Sequence, residues 1–126
     1  MPPRIPYRPK DLAEPADIVA AIRTRRGGRL EELDRMLLHS PAFAQGWNSH
    51  LGAVRRGLSL AGRLRELAIC AIAVLNDAHY EWIQHAPVYL QEGGQQAQLD
   101  ALATLGRPVW KADAFDATER AVLQLT

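Results

Sequence analysis

Cysteine is almost absent from this chain. Cys70 is the single one in 126 residues, which excludes an intrachain disulfide and the stapled scaffold of a small secreted domain. A reducing, cytoplasmic setting is expected from that usage. No stretch reaches the ~20 apolar residues that a membrane span requires, and the opening residues lack the apolar core of a secretion signal, so no membrane partner is expected. Charge of one sign is not in excess either: 15 Lys and Arg stand against 14 Asp and Glu, for a net charge of +1. Such a balance leaves no electrostatic footprint for nucleic acid. Alternating apolar and polar runs typical of half-buried strands are missing, as are internal repeats. No glycine-rich phosphate loop follows a strand, so no cofactor is expected.

What is present reads as helix. With 48% hydrophobic and 23% charged residues, a chain of this length buries roughly two thirds of the surface that its unfolded form exposes. Residues 1–13 read as an extended arm, because Met1 to Lys10 holds four prolines and each fixes φ and biases its predecessor away from helix. The arm is expected to lie across the surface or a neighbour. Residues 14–126 read as a single all-α domain. A first helix begins at Glu14-Pro15 and stops at Gly27-Gly28, behind the basic run Arg23, Arg25 and Arg26. Leu30, Leu33, Leu37 and Leu38 mark a short second helix. Ser40-Pro41 opens a third, whose Phe43, Trp47, Leu51 and Val54 form an apolar stripe ending near Gly57.

From Arg63 the run RLRELAICAIAVL is apolar on every face after Glu66, the pattern of a helix buried inside a domain or an oligomer. Asn76-Asp77 interrupts it. The next helix, AHYEWIQHAPVYLQEGG, contains Pro87, which is expected to kink or restart it because it lacks an N–H and crowds the Ile83 carbonyl. Gln95 to Leu105 is a further short helix, followed by a loop through Trp110 and Phe115. Asp116-Ala-Thr-Glu119 resembles a capping box opening a last helix. That helix meets Thr126 without a C-cap, which leaves open that the sequence is a fragment.

Ala78, Glu81 and His85 fall at i, i+3 and i+7, on one stripe of one helix. Glu66 lies on the preceding helix, with Cys70 one turn later on the same face, and antiparallel packing across Asn76-Asp77 brings Glu66 toward His85. Two carboxylates beside one imidazole make an acid and base set. A plainer alternative stands beside it: Glu81 and His85 as an ordinary i,i+4 pair, Glu66 paired with Arg63 or Arg65, and Cys70 as core filler. Glu66, Glu81 and His85, with His79 or His50, also supply metal-ligand types, but no H-x-x-x-H or E-x-x-H spacing occurs, so no metal is expected. His39, His50 and His79 read as surface or satisfied histidines, and Trp47, Trp82 and Trp110 as core or interface anchors.

The run Arg63-Leu-Arg-Glu66-Leu-Ala-Ile, followed by Tyr80-Glu81-Trp82-Ile-Gln-His85, resembles the signature of the carboxymuconolactone decarboxylase superfamily in its alkylhydroperoxidase D-like branch. Leu38-His39-Ser40-Pro41 and Asp116-Ala-Thr-Glu119-Arg120 resemble that branch too, so the likeness runs from about Leu30 to the end. The resemblance implies an all-α helical bundle with a central antiparallel hairpin, assembled as a homotrimer or homohexamer with sites beside subunit boundaries. Redox-active members carry a Glu and a C-x-x-C-x-x-x-H motif. Glu66 and His85 match that Glu and His, whereas Ala78 and Glu81 stand at the two cysteines. A dithiol cycle needs two sulfurs within bonding reach, so that mechanism does not carry over.

Three functions are compatible with these residues. The leading one is acid–base chemistry on a small carboxylate or lactone, with His85 as general base, Glu81 orienting it and Glu66 as buried acid or water-holder. A second is peroxiredoxin-type antioxidant activity through Cys70 or an external thiol, although a Cys inside an apolar helix should carry little thiolate. The third is a non-catalytic oligomeric binding protein whose polar cluster satisfies itself.

Overall fold

The computed structural model describes residues 3–126. They form seven α-helices and one short 3-10 turn, with no strand among the described residues. Contacts divide the chain into two compact units, Met1–Leu58 and Ser59–Thr126.

In the first unit α1 (Ala16–Arg26) follows Pro15 and ends where Gly27 turns left-handed at φ 75°, a conformation that costs glycine little. The second helix, α2 (Glu32–Leu37), is opened by a reciprocal capping box between Glu31 and Asp34, and α3 (Pro41–Arg56) places its proline in the first turn. Val19, Ile22, Leu30, Leu38 and Ala44 form the core. Of the four side chains expected to make the apolar stripe of α3, Trp47, Leu51 and Val54 are half-buried and Phe43 is exposed. Only Ala44 of that helix is buried in full, while Phe43 is 57% exposed and stacks on Trp47 with ring centroids 6.2 Å apart. Asn48 and Gly52 instead accommodate the Arg25 side chain of α1.

Pro3 to Lys10 run along this unit without helix or strand, bending at Arg4 and Ile5, and Met1 and Pro2 of the expected arm lie outside the described residues. His39 Nε2 hydrogen-bonds the Pro6 carbonyl (2.8 Å), Arg35 Nε donates to the Arg8 carbonyl (2.6 Å), and Arg23 Nη2 donates to the carbonyls of Lys10 and Leu12. The Arg35 guanidinium also stands 5.0 Å over the Tyr7 ring.

The second unit is built on a hairpin of α4 (Gly62–Leu75) and α5 (His79–Gln91), completed by α6 (Gln96–Leu102) and α7 (Ala117–Leu125). Asp77, at φ 52°, makes the reversal between the two long helices, a backbone state that Asp tolerates better than most residues. Leu67, Cys70, Ala71, Ala86, Tyr89, Leu99, Leu102, Phe115 and Leu123 form one core. Two expectations need correction. Within one copy of the chain α4 is not buried on every face: at its C-terminal end Ile72 and Leu75 are about half exposed. The helix around Pro87 neither stops nor restarts: α5 runs through it, with Pro87 on its exposed side and the flanking Ala86, Val88 and Tyr89 turned inward. Packing of those neighbours offsets the one backbone hydrogen bond that proline removes.

Beneath the hairpin lies a polar network. Glu119 of α7 is buried, and its two oxygens accept from Arg63 of α4, from Gln98 Nε2 of α6 (3.0 Å) and from the Asp116 N–H (2.9 Å). Gln98 Oε1 in turn accepts from the Tyr89 hydroxyl (2.6 Å) and the Gln95 N–H (3.0 Å). Burial pushes the Tyr89 hydroxyl above its ordinary pKa range, while nearby Arg63 acts in the opposite direction. The Asp116–Glu119 capping box is present as the spacing suggested.

Candidate functional site

Glu66 sits in the second turn of α4, and its register turns it into the hairpin, where it is 0% exposed. His85 is 19 residues later in the chain, on the facing α5, and is also buried. The antiparallel hairpin closes that sequence gap to 2.6 Å between Glu66 Oε2 and His85 Nδ1. The other Glu66 oxygen accepts from Arg65 Nε at 3.0 Å. On the far side of the imidazole, Nε2 stands 3.4 Å from Glu81 Oε2, one turn earlier on α5. Glu81 is 47% exposed, so the cluster runs from a sealed inner end at Glu66 to a solvent-facing outer end at Glu81.

A buried carboxylate holding Nδ1 assigns the imidazole a tautomer. With the Glu66 carboxylate as acceptor, Nδ1–H donates to it, and Nε2 is the nitrogen left toward Glu81 and the outer end of the cluster. That division is chemically useful, because one ring nitrogen is committed to a fixed partner while the other can exchange a proton with something arriving from solvent. Arg65 also approaches Glu92 of the α5 C-terminus at 3.8 Å. Among the described residues no group of three or more His, Cys, Asp or Glu side chains is arranged to hold a metal ion. The remaining histidines, His39, His50 and His79, are exposed, and His39 is engaged with the arm.

The carboxymuconolactone decarboxylase family model matches residues 41–126. The chain is a member of the carboxymuconolactone decarboxylase family. Comparison with curated proteins and with solved structures returned no match. The family segment begins at the first residue of α3 and includes the whole hairpin with Glu66, Glu81 and His85.

Cys70, the chain's one sulfhydryl, is fully buried one turn beyond Glu66. Burial first, and the Glu66 charge second, push its thiol from an ordinary 9.0 up to about 12. Both causes disfavour the thiolate, which is the reactive form. Iodoacetamide at pH 7.5 should therefore label Cys70 at least about a thousandfold more slowly in the folded chain than in urea, since three pKa units remove that fraction of thiolate. Comparable rates in the two states would refute it. The sign of the linkage also follows: a folded-state pKa above the unfolded one gives stability that is present in full below about pH 9 and lost as pH rises toward about 12.

Sequence reasoning singled out Glu66, Glu81 and His85 and named Arg65 only as a competing partner for Glu66. It missed the Arg63–Glu119–Gln98–Tyr89 network. Its members are spread over four helices, and only the Asp116–Glu119 spacing signalled any part of it. The Gln95–Gln98 capping box lacks the Ser, Thr, Asp or Asn that ordinarily announces one.

Proposed function

We propose that this family member is an acid–base catalyst acting on a small carboxylate or lactone, with His85 as the group that takes up and returns a proton. One observation carries the reading: a wholly buried Glu66 holds Nδ1 at 2.6 Å while Nε2 faces the partly exposed Glu81. Such an arrangement keeps one ring nitrogen ready for exchange. It also exchanges the parts that spacing suggested for the two carboxylates. Glu66 becomes the orienting group, and Glu81 stands at the outer face, where substrate arrives. The reaction class is proton removal next to a carbonyl, or proton delivery to the carbanion left when a carboxylate departs as carbon dioxide. In the second case the C–C bond pair remains on the substrate carbon and takes the proton from His85.

Half-exposed Ile72, Leu75 and Ile83 on the outer faces of α4 and α5 support assembly with further copies of the chain as a homotrimer or homohexamer. A redox role through Cys70 draws no support, because that thiol is buried and its pKa is raised. The alternative with a specific observation in its favour is a non-catalytic binding protein. Arg65, Glu66, His85 and Glu81 form a continuous run of polar contacts that can satisfy itself without chemistry.

Incubation of the protein in D2O with a panel of small lactones and carboxylated lactones, followed by proton NMR, separates the two readings. Solvent deuterium incorporation or loss of carboxylate is expected. His85→Ala should slow it about a hundredfold, the lower end of what a positioned acid or base contributes. Glu66→Gln should slow it as well, since the amide can present N–H to Nδ1 and reverse the tautomer. An undiminished rate in His85→Ala would sink the assignment, and ligand binding without exchange by the parent protein would favour the binding protein.

A further inference from the structure

Helix α5 is apolar on two faces. Its inner face sends His85, Ala86 and Tyr89 into the hairpin, where all three are buried. On the opposite face Tyr80, Ile83, Pro87 and Leu90 recur at i, i+3, i+7 and i+10, the spacing of one stripe along a helix. Tyr80 is 40%, Ile83 53% and Leu90 38% exposed, and Pro87 is exposed as well. Four such neighbours leave on the order of a few hundred Å² of apolar surface uncovered, the size of patch that marks an interaction site and not scattered surface hydrophobes.

The chemistry of the stripe and its rim selects a second copy of the chain as the occupant. The spacing is three, four, three, the same from either end. Two antiparallel copies related by a two-fold axis therefore set Tyr80 of one against Leu90 of the other, and Ile83 against Pro87, all at once. The rim is neutral: Gln84 and Gln91, both exposed, border the stripe, and α5 contains no Lys or Arg. Its one carboxylate, Glu81, is turned about 100° from Tyr80, toward His85. A primary amide both donates and accepts, so a rim of glutamines tolerates its own image, whereas a rim of one charge would repel it. Antiparallel pairing also sets the N-terminus of each α5 beside the C-terminus of the other, where the helix dipoles attract.

We propose that α5 pairs with α5 of a second copy through this stripe, antiparallel and about a two-fold axis. The pairing rests on the reading that copies of this chain assemble, and it narrows the assembly to an even number of them, a dimer or a hexamer but not a lone trimer. It stands whether or not His85 is a catalyst. Two such patches bury less than the ~1,600 Å² of a standard interface, so association through this contact alone is reversible at micromolar concentrations.

Sedimentation equilibrium of the full chain across the micromolar range tests it. Masses of two copies, or of six, are expected. Ile83→Lys and Leu90→Lys should each weaken the association about tenfold or more, because an ammonium would have to be buried, with no change in the circular dichroism spectrum. Spin labels give a second readout. Cys70 is buried and its thiol is pushed up to about 12, so an introduced cysteine is labelled selectively. At a rise of about 1.5 Å per residue, the antiparallel register sets two Gln84 residues about 3 Å apart along the helix axis and two Gln91 residues about 18 Å apart. Labels on Gln84→Cys should therefore lie closer together than labels on Gln91→Cys. A trimer alone would overturn the pairing and leave the broader assembly reading standing, and a monomer at every concentration would overturn both. Unaltered association in both lysine variants, or the reverse order of label distances, would also overturn the pairing.

Discussion

Gly94→Ala is expected to destabilise the protein by about 3 kcal/mol or more, at the upper end of what overpacking usually costs. The position looks innocuous in the sequence, as the second of two glycines closing α5. Its neighbour Gly93 has a left-handed φ of 94°, whereas the requirement at Gly94 is space. An added Cβ would land inside the ring of Tyr89, against Cδ1, Cε1 and Cζ. Tyr89 cannot swing away, because it is fully buried and its hydroxyl is tied to Gln98 Oε1 at 2.6 Å. The Gly94 N–H also donates to the Tyr89 carbonyl at 2.9 Å, which pins the glycine in turn. Gly62→Ala is the control. There the Cβ meets the carboxylate of Glu92, the far end of an exposed side chain that can move aside, and about 1 kcal/mol or less is expected, the helix propensity of alanine working in its favour. Urea denaturation of both variants decides the matter; a Gly94→Ala midpoint equal to that of the parent would show that the Tyr89 ring is not held in place.

Removing the carboxylate of Glu119 should be equally damaging. Breaking a buried pair from one side typically costs about 3–5 kcal/mol, and here the loss leaves the Gln98 amide and the Asp116 N–H without this acceptor as well. Arg63 softens the effect, because its side chain is 35% exposed and Asp116 lies 3.8 Å from its Nη2. A loss of about 3 kcal/mol is therefore expected for Glu119→Ala. Glu119→Gln should cost less, since it keeps the volume and one acceptor oxygen. Thermal unfolding followed at 222 nm would reveal this order, and a Glu119→Ala variant within about 0.5 kcal/mol of the parent, the range of an ordinary surface change, would contradict it.

Helix positions were legible wherever local chemistry set them. Pro41 in a first turn, Gly27 behind three arginines and the Asp116–Glu119 box each act within a few residues, and each marks a boundary that the structure has. The meeting of Glu66 with His85 was legible for a related reason: one short reversal joins the two helices, so the pairing of their faces follows from helical periodicity alone. Facing between elements without such a short link was not legible. Phe43 and Leu75 are as apolar as Leu67, and nothing local in the sequence separates the exposed from the buried; the contacts that do so come from residues distant in the chain. Pro87 shows a further limit. Local rules measure the hydrogen bond that proline removes, while the continuity of α5 is decided by Ala86 and Tyr89 packing into the core on either side of it.

His39, Arg35 and Arg23 grip the opening segment almost entirely through its carbonyl oxygens. A clasp that reads only peptide oxygens is blind to the identity of the residues it holds. Apart from Tyr7, which lies under a guanidinium, the side chains of that strap are therefore free to drift without loosening it, whereas a change in any of the three gripping residues alters its attachment however well the strap itself is preserved.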